Sequence, residues 1–239
     1  IAAMGGEPGP ALLNLFMGSD LSMDWLEHFI ADIRECCEAY DVAIVGGDVS
    51  ELAPGQFTAV LTLTGQMSHS PKLRSTAAIG DHIYVTGELG GSILGKHYKF
   101  LPRLREGQWL AYREEVTAMM DVTDGLGKDL ASLLPEGSSA AIDAEQIPVA
   151  EDARRCAEAD GLSAEEHAFR DGEDYELLFT LSADAEPAKF ESEWHSEFPS
   201  LRLSRIGSIV DSPTNDIYID AKSGEALPWQ SGFEHFKCK

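Results

Sequence analysis

Short apolar runs alternate with segments of helical periodicity along most of this chain. Runs typical of strands lie at 41–48, 57–65, 82–87, 140–143, 174–181, 202–210 and 216–220. Helical spacing is found at 22–40, near 103–117, from about 125 to 134, and near 149–160. Ser22, before an acidic first turn, is the predicted N-cap of the first of these helices. This alternation predicts an α/β or α+β fold whose two subdomains meet near residues 66–80.

The charge balance limits the partners that the chain can have. Its 239 residues include 41 Asp and Glu against 18 Lys and Arg, which gives a formal net charge of -23. Such a surface repels phosphate backbones and anionic lipids, so we expect no nucleic-acid binding and no membrane docking. A carboxylate excess also suits a protein that collects divalent cations, although many acidic proteins are acidic only for solubility.

The sequence carries no sign of export. No apolar run reaches the 18 residues of a membrane span, and no secretory signal opens the chain. The cysteines, Cys36, Cys37, Cys156 and Cys238, form no C-x-x-C pair, which favours a reduced, cytoplasmic protein. Because "IAAMGGEPGP" reads as the interior of an element, we expect the chain to be an N-terminally incomplete piece of a longer protein.

The segment "MMDVTDGLGKDL" at 119–130 is the most informative motif. An apolar run stops at Asp121, Asp124 follows three residues later, and the chain then breaks at a glycine. Carboxylates this close repel one another unless a cation lies between them. We interpret the motif as a magnesium–phosphate site in which Asp121 and Asp124 hold Mg²⁺ and Thr123 donates to a phosphate oxygen. A helix cap at Thr123 or Asp124 is the alternative.

Two further segments have an ambiguous pattern. In "VGGDVS" at 45–50, Gly46 and Gly47 would let the backbone approach a ligand and Asp48 would follow a strand, but a tight turn fits equally well. In "RDGEDYELLF" at 170–179, four acidic residues precede a strand, and the alternative is a solvated acidic loop. The glycines at 87, 90, 91 and 95 match no phosphate-binding loop, so a turn leading into a helix is predicted there.

Together these motifs resemble the thiamine-monophosphate kinases. The resemblance is carried, in the order found in that family, by "IAAMGGEP", "WLEHF", "VGGDVS", "GDHIYVTGELGGSILG", "MMDVTDGLGKDL", "RDGEDYELLF" and "GFEHF". It covers nearly the whole chain and implies the two-domain fold of aminoimidazole ribonucleotide synthetase and its relatives. Residues 1–66 would then belong to an N-terminal ATP- and magnesium-binding domain whose sheet forms a barrel across a homodimer. Residues 67–239 would form a C-terminal mixed sheet packed with helices.

The resemblance also implies an activity: direct in-line transfer of the γ-phosphoryl group of ATP to thiamine monophosphate, with several Mg²⁺ ions. By position, Asp48, Asp121 and Asp124 would be magnesium ligands, and the last two would be catalytic. Contacts to ATP would come from Gly46, Gly47, Arg74 and Thr123. Substrate contacts would come from Glu173, Asp174 and Phe233. The alternatives are another ATP-using relative, such as selenophosphate synthetase, or a nucleotide-binding homologue without catalysis.

Overall fold

The computed structural model describes residues 1–212 and 216–227, which form two compact units. The first unit consists of Ile1 and Gly6–Ser68, and the second contains Ala2–Gly5 and the described residues from His69 onward. Each unit has its own sheet. The predicted combination of α and β elements in two subdomains, each built on a sheet, is therefore confirmed.

The first unit is a four-stranded sheet with one long helix. In chain order its elements are β1 (Glu7–Gly18), α1 (Met23–Ala39), β2 (Ile44–Gly46), β3 (Val49–Leu52) and β4 (Phe57–Gln66). Strands β2 and β3 pair in parallel with successive parts of β1, and β4 pairs antiparallel with β1 from the other side. As predicted, Ser22 caps α1, because its hydroxyl accepts the backbone N–H of Trp25 at 3.4 Å.

The second unit is built on a six-stranded sheet of order β10-β7-β9-β5-β8-β6. Its strands are β5 (His82–Thr86), β6 (Val116–Asp121), β7 (Ser138–Ile142), β8 (Leu177–Leu181), β9 (Leu203–Asp211) and β10 (Tyr218–Asp220). Its helices are α2 (Lys96–Lys99), α3 (Leu104–Ala111), α4 (Leu126–Leu133), α5 (Glu151–Asp160), α6 (Ala164–Arg170) and α7 (Pro187–Glu197). Neighbouring strands are antiparallel except β10 and β7.

Apolar cores lie on both faces of this second sheet. One core joins strand residues such as Ile83 and Met120 to Leu126 and Leu130 of α4. The other joins Tyr84 and Phe179 to Leu110 of α3 and to the α7 aromatics Phe190 and Trp194. Burial on both faces explains why these strands read as nearly continuous apolar runs. No helix within the described ranges is long and apolar enough to cross a membrane.

Some elements differ from the sequence-based expectation. The helix predicted near 103–117 ends at Ala111, because the β-branched and apolar run from Val116 pairs with β8. Strand β1 was missed because Pro8, Gly9 and Pro10 hide its signal, and pairing with β4 overrides their low strand propensity. Helices α6 and α7 were not predicted, and the strand predicted at 174–181 begins at Leu177.

Candidate active site

The acidic motif lies in the loop that joins β6 to α4. Asp121 is the last residue of β6 and is paired with Leu177 of β8. The buried residues Val122 and Leu126 anchor the loop at both ends in the core. Between these anchors Thr123 and Asp124 remain partly exposed, as does Asp121. The loop therefore holds two carboxylates and one hydroxyl at the surface of the second unit, and the buried residues at its ends fix its position.

A third carboxylate, that of Asp129, fixes the shape of this loop from inside. Its Oδ2 accepts the backbone N–H groups of Thr123 and Asp124 at 2.7 and 2.9 Å. Asp129 lies in the first turn of α4 and is 4% exposed. Burial raises the pKa of this carboxyl group to about 6, and the two backbone hydrogen bonds act in the opposite direction. Asp129 is thus a positioning residue for the motif.

Gly125 makes the turn between the motif and α4 possible. Its φ of 98° lies where residues with a side chain are strained. A Cβ atom at this position would also lie 2.6 Å from the carbonyl oxygen of Arg170. The next helical turn places the Lys128 ammonium group 2.7 Å from Asp124, so one motif carboxylate is already paired with a cation of the chain.

The segment 170–176 pairs with this loop through backbone hydrogen bonds. The N–H of Glu173 donates to the carbonyl of Thr123 at 2.7 Å. The N–H of Tyr175 donates to Val122 at 2.9 Å, and Val122 donates in turn to Glu176 at 2.8 Å. The pairing brings two acidic segments together that are about fifty residues apart in the sequence. The surface of the second unit therefore combines both motifs in one site.

Glu173 and Tyr175 have unusual backbone conformations at this junction. Their φ angles are 63° and 53°, in the left-handed region that residues with a side chain rarely adopt. Residues held in this way concentrate at ligand and catalytic sites, where the surrounding structure supports the strain. The Tyr175 ring stacks on Phe100 with 4.0 Å between centroids, whereas the Glu173 side chain is exposed. Glu173 is thus accessible to a ligand.

Asp174 and Glu176 point into the protein instead. Both Asp174 oxygens accept the backbone N–H of Gly90 at 3.0 Å, and Lys96 lies 3.7 Å away. Burial raises the pKa of Asp174 to about 7, against the opposing effect of Lys96. These buried contacts favour a structural role for Asp174 over the substrate contact that we predicted.

The Glu176 carboxylate is the centre of an ionic cluster. It accepts hydrogen bonds from Arg103 at 2.7 and 2.8 Å and from the Thr86 hydroxyl at 2.8 Å. Lys96 is 3.0 Å away. Burial alone would raise the pKa of Glu176, but Arg103 and Lys96 hold it below the usual range. The charge is therefore compensated, and the cluster clamps the start of β8 to β5.

The paired glycines before α2 are part of the same framework. Gly90 and Gly91 have φ angles of 89° and 72°, and a Cβ atom on either would meet helix backbone within 2.6 Å. Their N–H groups donate to Asp174 and to Asp171, the latter at 2.7 Å. The predicted turn leading into a helix is present here, since the 3-10 turn Ser92–Leu94 and then α2 follow these glycines. Sequence reasoning also missed Asp129, Lys96 and Arg103; the acidic residue five positions after Asp124 was a usable signal for the first of these.

The remaining predicted residues lie elsewhere. In the first unit, Asp48 is exposed between β2 and β3 and accepts the Ser50 hydroxyl at 2.9 Å. Neighbouring Gly47 approaches the main chain of Leu13 so closely that a Cβ would lie 1.8 Å from its carbonyl oxygen.

In the second unit, Arg74 is exposed in a short 3-10 turn. Phe233 lies outside the described residues.

The donor set of the β6–α4 loop fits magnesium. Among residues 1–212 and 216–227, no three His, Cys, Asp or Glu side chains are grouped closely enough to form a complete metal site. Mg²⁺ is commonly bound by one or two carboxylates together with substrate phosphates and water. Asp121 and Asp124 offer this partial set of hard oxygen ligands, on a loop that the buried Asp129 keeps in shape.

Comparison with known proteins identifies the family to which the chain belongs. Residues 1–67 match the N-terminal domain of AIR synthase related protein, and residues 59–220 match its C-terminal domain. The chain therefore belongs to the AIR synthase related family. Within this family it is similar to thiamine-monophosphate kinases. The enzyme of Rhodopirellula baltica is 34% identical over 211 residues, which are 88% of this chain and 65% of that relative.

Solved structures agree with this assignment. The thiamine-monophosphate kinase of Stenotrophomonas maltophilia K279a superimposes with a TM-score of 0.75 at 28% identity, covering 95% of this chain and 75% of that one. The structure of AaThiL complexed with AMPPCP and TMP has a TM-score of 0.72 at 25% identity, covering 99% and 76%. The resemblance and the predicted α/β fold with two sheets are confirmed, whereas the barrel across a homodimer stays a prediction. The chain spans less than two thirds of the R. baltica relative, 65%.

Proposed function

We propose that this chain takes part in the ATP- and Mg²⁺-dependent phosphorylation of thiamine monophosphate to thiamine diphosphate. The observation that carries the proposal is the pairing of the two acidic segments, which places Thr123 next to Glu173 and leaves Asp121 and Asp124 accessible. The names of the relatives and the AMPPCP and TMP complex of AaThiL support it. AMPPCP is a non-hydrolysable ATP analogue, so that complex represents a kinase with both substrates.

The roles of the residues follow from what phosphoryl transfer requires. In-line transfer needs positioning and neutralisation of phosphate charge, and little covalent help from the protein. Asp121 and Asp124 would hold Mg²⁺, which supplies charge neutralisation and orientation of the phosphates when bound. Thr123 would donate to a phosphate oxygen, and the exposed Arg74 would pair with another. Glu173 would contact thiamine monophosphate, and Phe233 is proposed for the same substrate.

The first unit would contribute to nucleotide binding. The proposed roles are a magnesium ligand for Asp48 and close approach to phosphate for Gly46 and Gly47. Gly47 also has a structural role, because a Cβ atom there would clash with the backbone of Leu13. Asp48 is exposed and hydrogen-bonded to Ser50, so it remains available to a cation.

Turnover with ATP, Mg²⁺ and thiamine monophosphate tests the proposal on the full-length protein. Asp121→Asn and Asp124→Asn should each lower kcat by about 10²-fold or more, because each removes a charge that the metal needs. Asp184→Asn is the matched control, since Asp184 is exposed in the same unit and lies outside both motifs. Near wild-type kcat in both motif variants across a magnesium titration would exclude the assignment.

The first unit also supports a homodimer formed through its sheet. Strand β4 pairs on one side with β1 and carries exposed Val60, Leu61 and Leu63, which are 44%, 47% and 41% accessible. Exposed apolar strands are interaction surfaces in soluble proteins. The barrel across two subunits implied by the family resemblance would cover them.

Sedimentation equilibrium of the full-length protein tests this proposal. Leu61→Lys with Leu63→Lys should shift the mass from dimer to monomer, because two charges would be buried in the interface. Leu101→Lys is the control, since Leu101 is 68% exposed and lies in the second unit. A monomeric wild type, or an unchanged dimer in the double variant, would contradict the proposed interface.

A further inference from the structure

A cavity lies in the second unit, and none of the acidic loops of the proposed kinase site lines it. It has a volume of about 580 Å³ and is lined by one end of β5, by β9, by α7 and by the turn after β7. None of the residues that form the proposed kinase site lines it. In the sheet, β5 and β8 separate β9 from β6, which carries Asp121. The cavity is therefore a separate feature of the fold.

The cavity arises because α7 covers only part of this face of the sheet. Its aromatic residues Phe190 and Trp194 are buried in the core with Tyr84, so that Glu191 and His195 remain on the cavity side. The lining residues of β9 include Gly207, which has no side chain, and Ser208, whose side chain is small. A register shift between β5 and β9 lies at the same place.

Two arginines line the cavity, although the chain as a whole is acidic. Arg202 and Arg205 both line it, together with His82 and His195. The Nε of Arg202 donates to the Ser204 hydroxyl at 3.1 Å. Within the described part of the chain, neither arginine forms an ion pair with a carboxylate. Both arginines are exposed to solvent, and Arg205 also interacts with the Tyr84 hydroxyl. Each guanidinium group has five N–H donors, so donors remain for an anionic ligand.

The acidic residues of the lining already have partners. The Glu191 carboxylate accepts the Tyr84 hydroxyl at 2.8 Å, which ties it to the buried core. The Asp143 carboxylate lies 3.2 Å from the Lys222 ammonium group. Lys222 neutralises Asp143, whereas Glu191 keeps its charge, because its hydroxyl partner is neutral. The lining therefore carries two guanidinium groups against one carboxylate without a cationic partner among the described residues. This charge distribution favours an anion in the cavity.

We propose that this cavity binds a small phosphorylated metabolite through Arg202 and Arg205, without a metal ion. Guanidinium groups match phosphate oxygens with paired hydrogen bonds, and Ser204 and Ser208 add hydroxyl groups at the same surface. The volume lies within the range of ligand pockets in general. Because its cations belong to the protein, this site differs from the proposed kinase site, where phosphate binding requires Mg²⁺.

Calorimetric titration with inorganic pyrophosphate, in the presence of EDTA, tests the proposal on the full chain. Saturable binding is expected for the wild type, and R202Q/R205Q should weaken it by about tenfold or more. R105Q/R154Q is the matched control, because it removes the same charge from exposed positions on α3 and α5. Asp124→Asn should leave the affinity unchanged, since no magnesium is present.

Three results would overturn the proposal. The first is the absence of saturable binding by the wild type at millimolar pyrophosphate. The second is an equal weakening of binding in R202Q/R205Q and R105Q/R154Q. The third is loss of binding in Asp124→Asn. Imidazole NMR resonances give an independent localisation: those of His82 and His195 should shift on titration in the wild type, and in R202Q/R205Q the midpoint of the shift should move to about tenfold higher pyrophosphate or more. Unchanged imidazole resonances in a wild type that binds would place the ligand elsewhere. Because ATP and Mg²⁺ are absent, failure here leaves the kinase proposal unaffected.

Discussion

The buried carboxylate of Asp129 accepts a hydrogen bond of 2.7 Å from the backbone N–H of Thr123. This bond, with a second from Asp124, shapes the loop that carries the proposed magnesium ligands. Asp129 does not touch the substrate in our proposal; it acts through the loop. Its replacement therefore separates the positioning of the metal ligands from their chemistry.

We expect Asp129→Ala to lower kcat and to raise the magnesium concentration needed for half-maximal activity. The reason is that two partly buried N–H groups would lose their acceptor, at a cost of up to about 1–3 kcal/mol each, and the loop would relax. Asp129→Asn keeps an acceptor oxygen and should show a smaller change in both quantities. Steady-state kinetics across a magnesium titration provide the measurement. Wild-type magnesium dependence in Asp129→Ala would show that the loop keeps its shape without this residue.

Gly125→Ala should destabilise the protein more than Gly137→Ala. Both glycines have positive φ, 98° and 77°, so each substitution carries a backbone cost of about 1 kcal/mol. At Gly125 the new Cβ would also meet the Arg170 carbonyl oxygen at 2.6 Å, whereas at Gly137 nothing lies within 4 Å. Urea denaturation of both variants should show an extra loss of about 1–3 kcal/mol for Gly125→Ala. Equal losses would mean that the neighbouring segment moves aside at no cost.

The free energy of unfolding should depend on the ionisation of Asp174. Burial raises the pKa of this carboxyl group from 3.8 to about 7 in the folded state. Between these values the folded protein binds more protons than the unfolded chain, so stability falls as pH rises from about 4 to 7. The contribution is up to about 4 kcal/mol. Asp174→Asn keeps an acceptor for the Gly90 N–H and removes this dependence.

The quantity to measure is the difference in the free energy of unfolding between each variant and the wild type at each pH. The stability of Asp174→Asn relative to wild type should increase as the pH is raised from 4 to 7. Asp184→Asn, an exposed control in the same unit, should show a constant difference over this range. A constant difference for Asp174→Asn as well would mean that Asp174 stays ionised throughout, held by Lys96.

Arg103→Ala should cost about 3 kcal/mol of stability at neutral pH, because it leaves the buried Glu176 charge with Lys96 as its remaining cation. Arg103 holds the pKa of Glu176 down, so the stability from this pair is present above the unfolded pKa and is lost as pH falls through the folded pKa. The cost of the substitution should therefore shrink in acid.

Arg105→Ala is the control for this experiment. Arg105 lies in the first turn of α3, which Arg103 immediately precedes. Its 3.5 Å pair with Glu197 is exposed, the Arg105 side chain being 78% accessible. Exposed pairs contribute about 0–1 kcal/mol. Thermal and urea denaturation of both variants at pH 4 and pH 7 give the comparison. Equal small losses in the two variants would show that Lys96 alone compensates Glu176.

Local sequence signals were sufficient where local chemistry decides the structure. The Ser22 cap and the apolar spacing of 22–40 predicted α1, since both act within one helical turn. The motif around Asp121 and Asp124 was read as a loop between a strand and a helix with a group of oxygen ligands, and it lies between β6 and α4. A metal and phosphate role for these residues stays a proposal.

The tertiary structure decided which acidic residues face the ligand. In "RDGEDYELLF" the sequence shows a group of similar carboxylates, yet Glu173 is exposed while Asp174 and Glu176 are buried. The partners of the buried pair, Gly90, Lys96 and Arg103, are about seventy to ninety residues away in the sequence. Alternation along a strand does not reveal which side is buried until the neighbouring strand and helix are known.

The sequence by itself therefore determined the family, the mixture of helices and strands, and the segments that carry chemistry, because these depend on residue type and short-range spacing. The tertiary structure alone decided the long-range pairings: β1 with β4 despite its prolines, the Val122–Glu176 backbone contact, and the cavity beside Arg202 and Arg205. The physical reason is that a buried charge or N–H group is stabilised by a partner within about 3 Å, and only the tertiary fold decides which group that partner is.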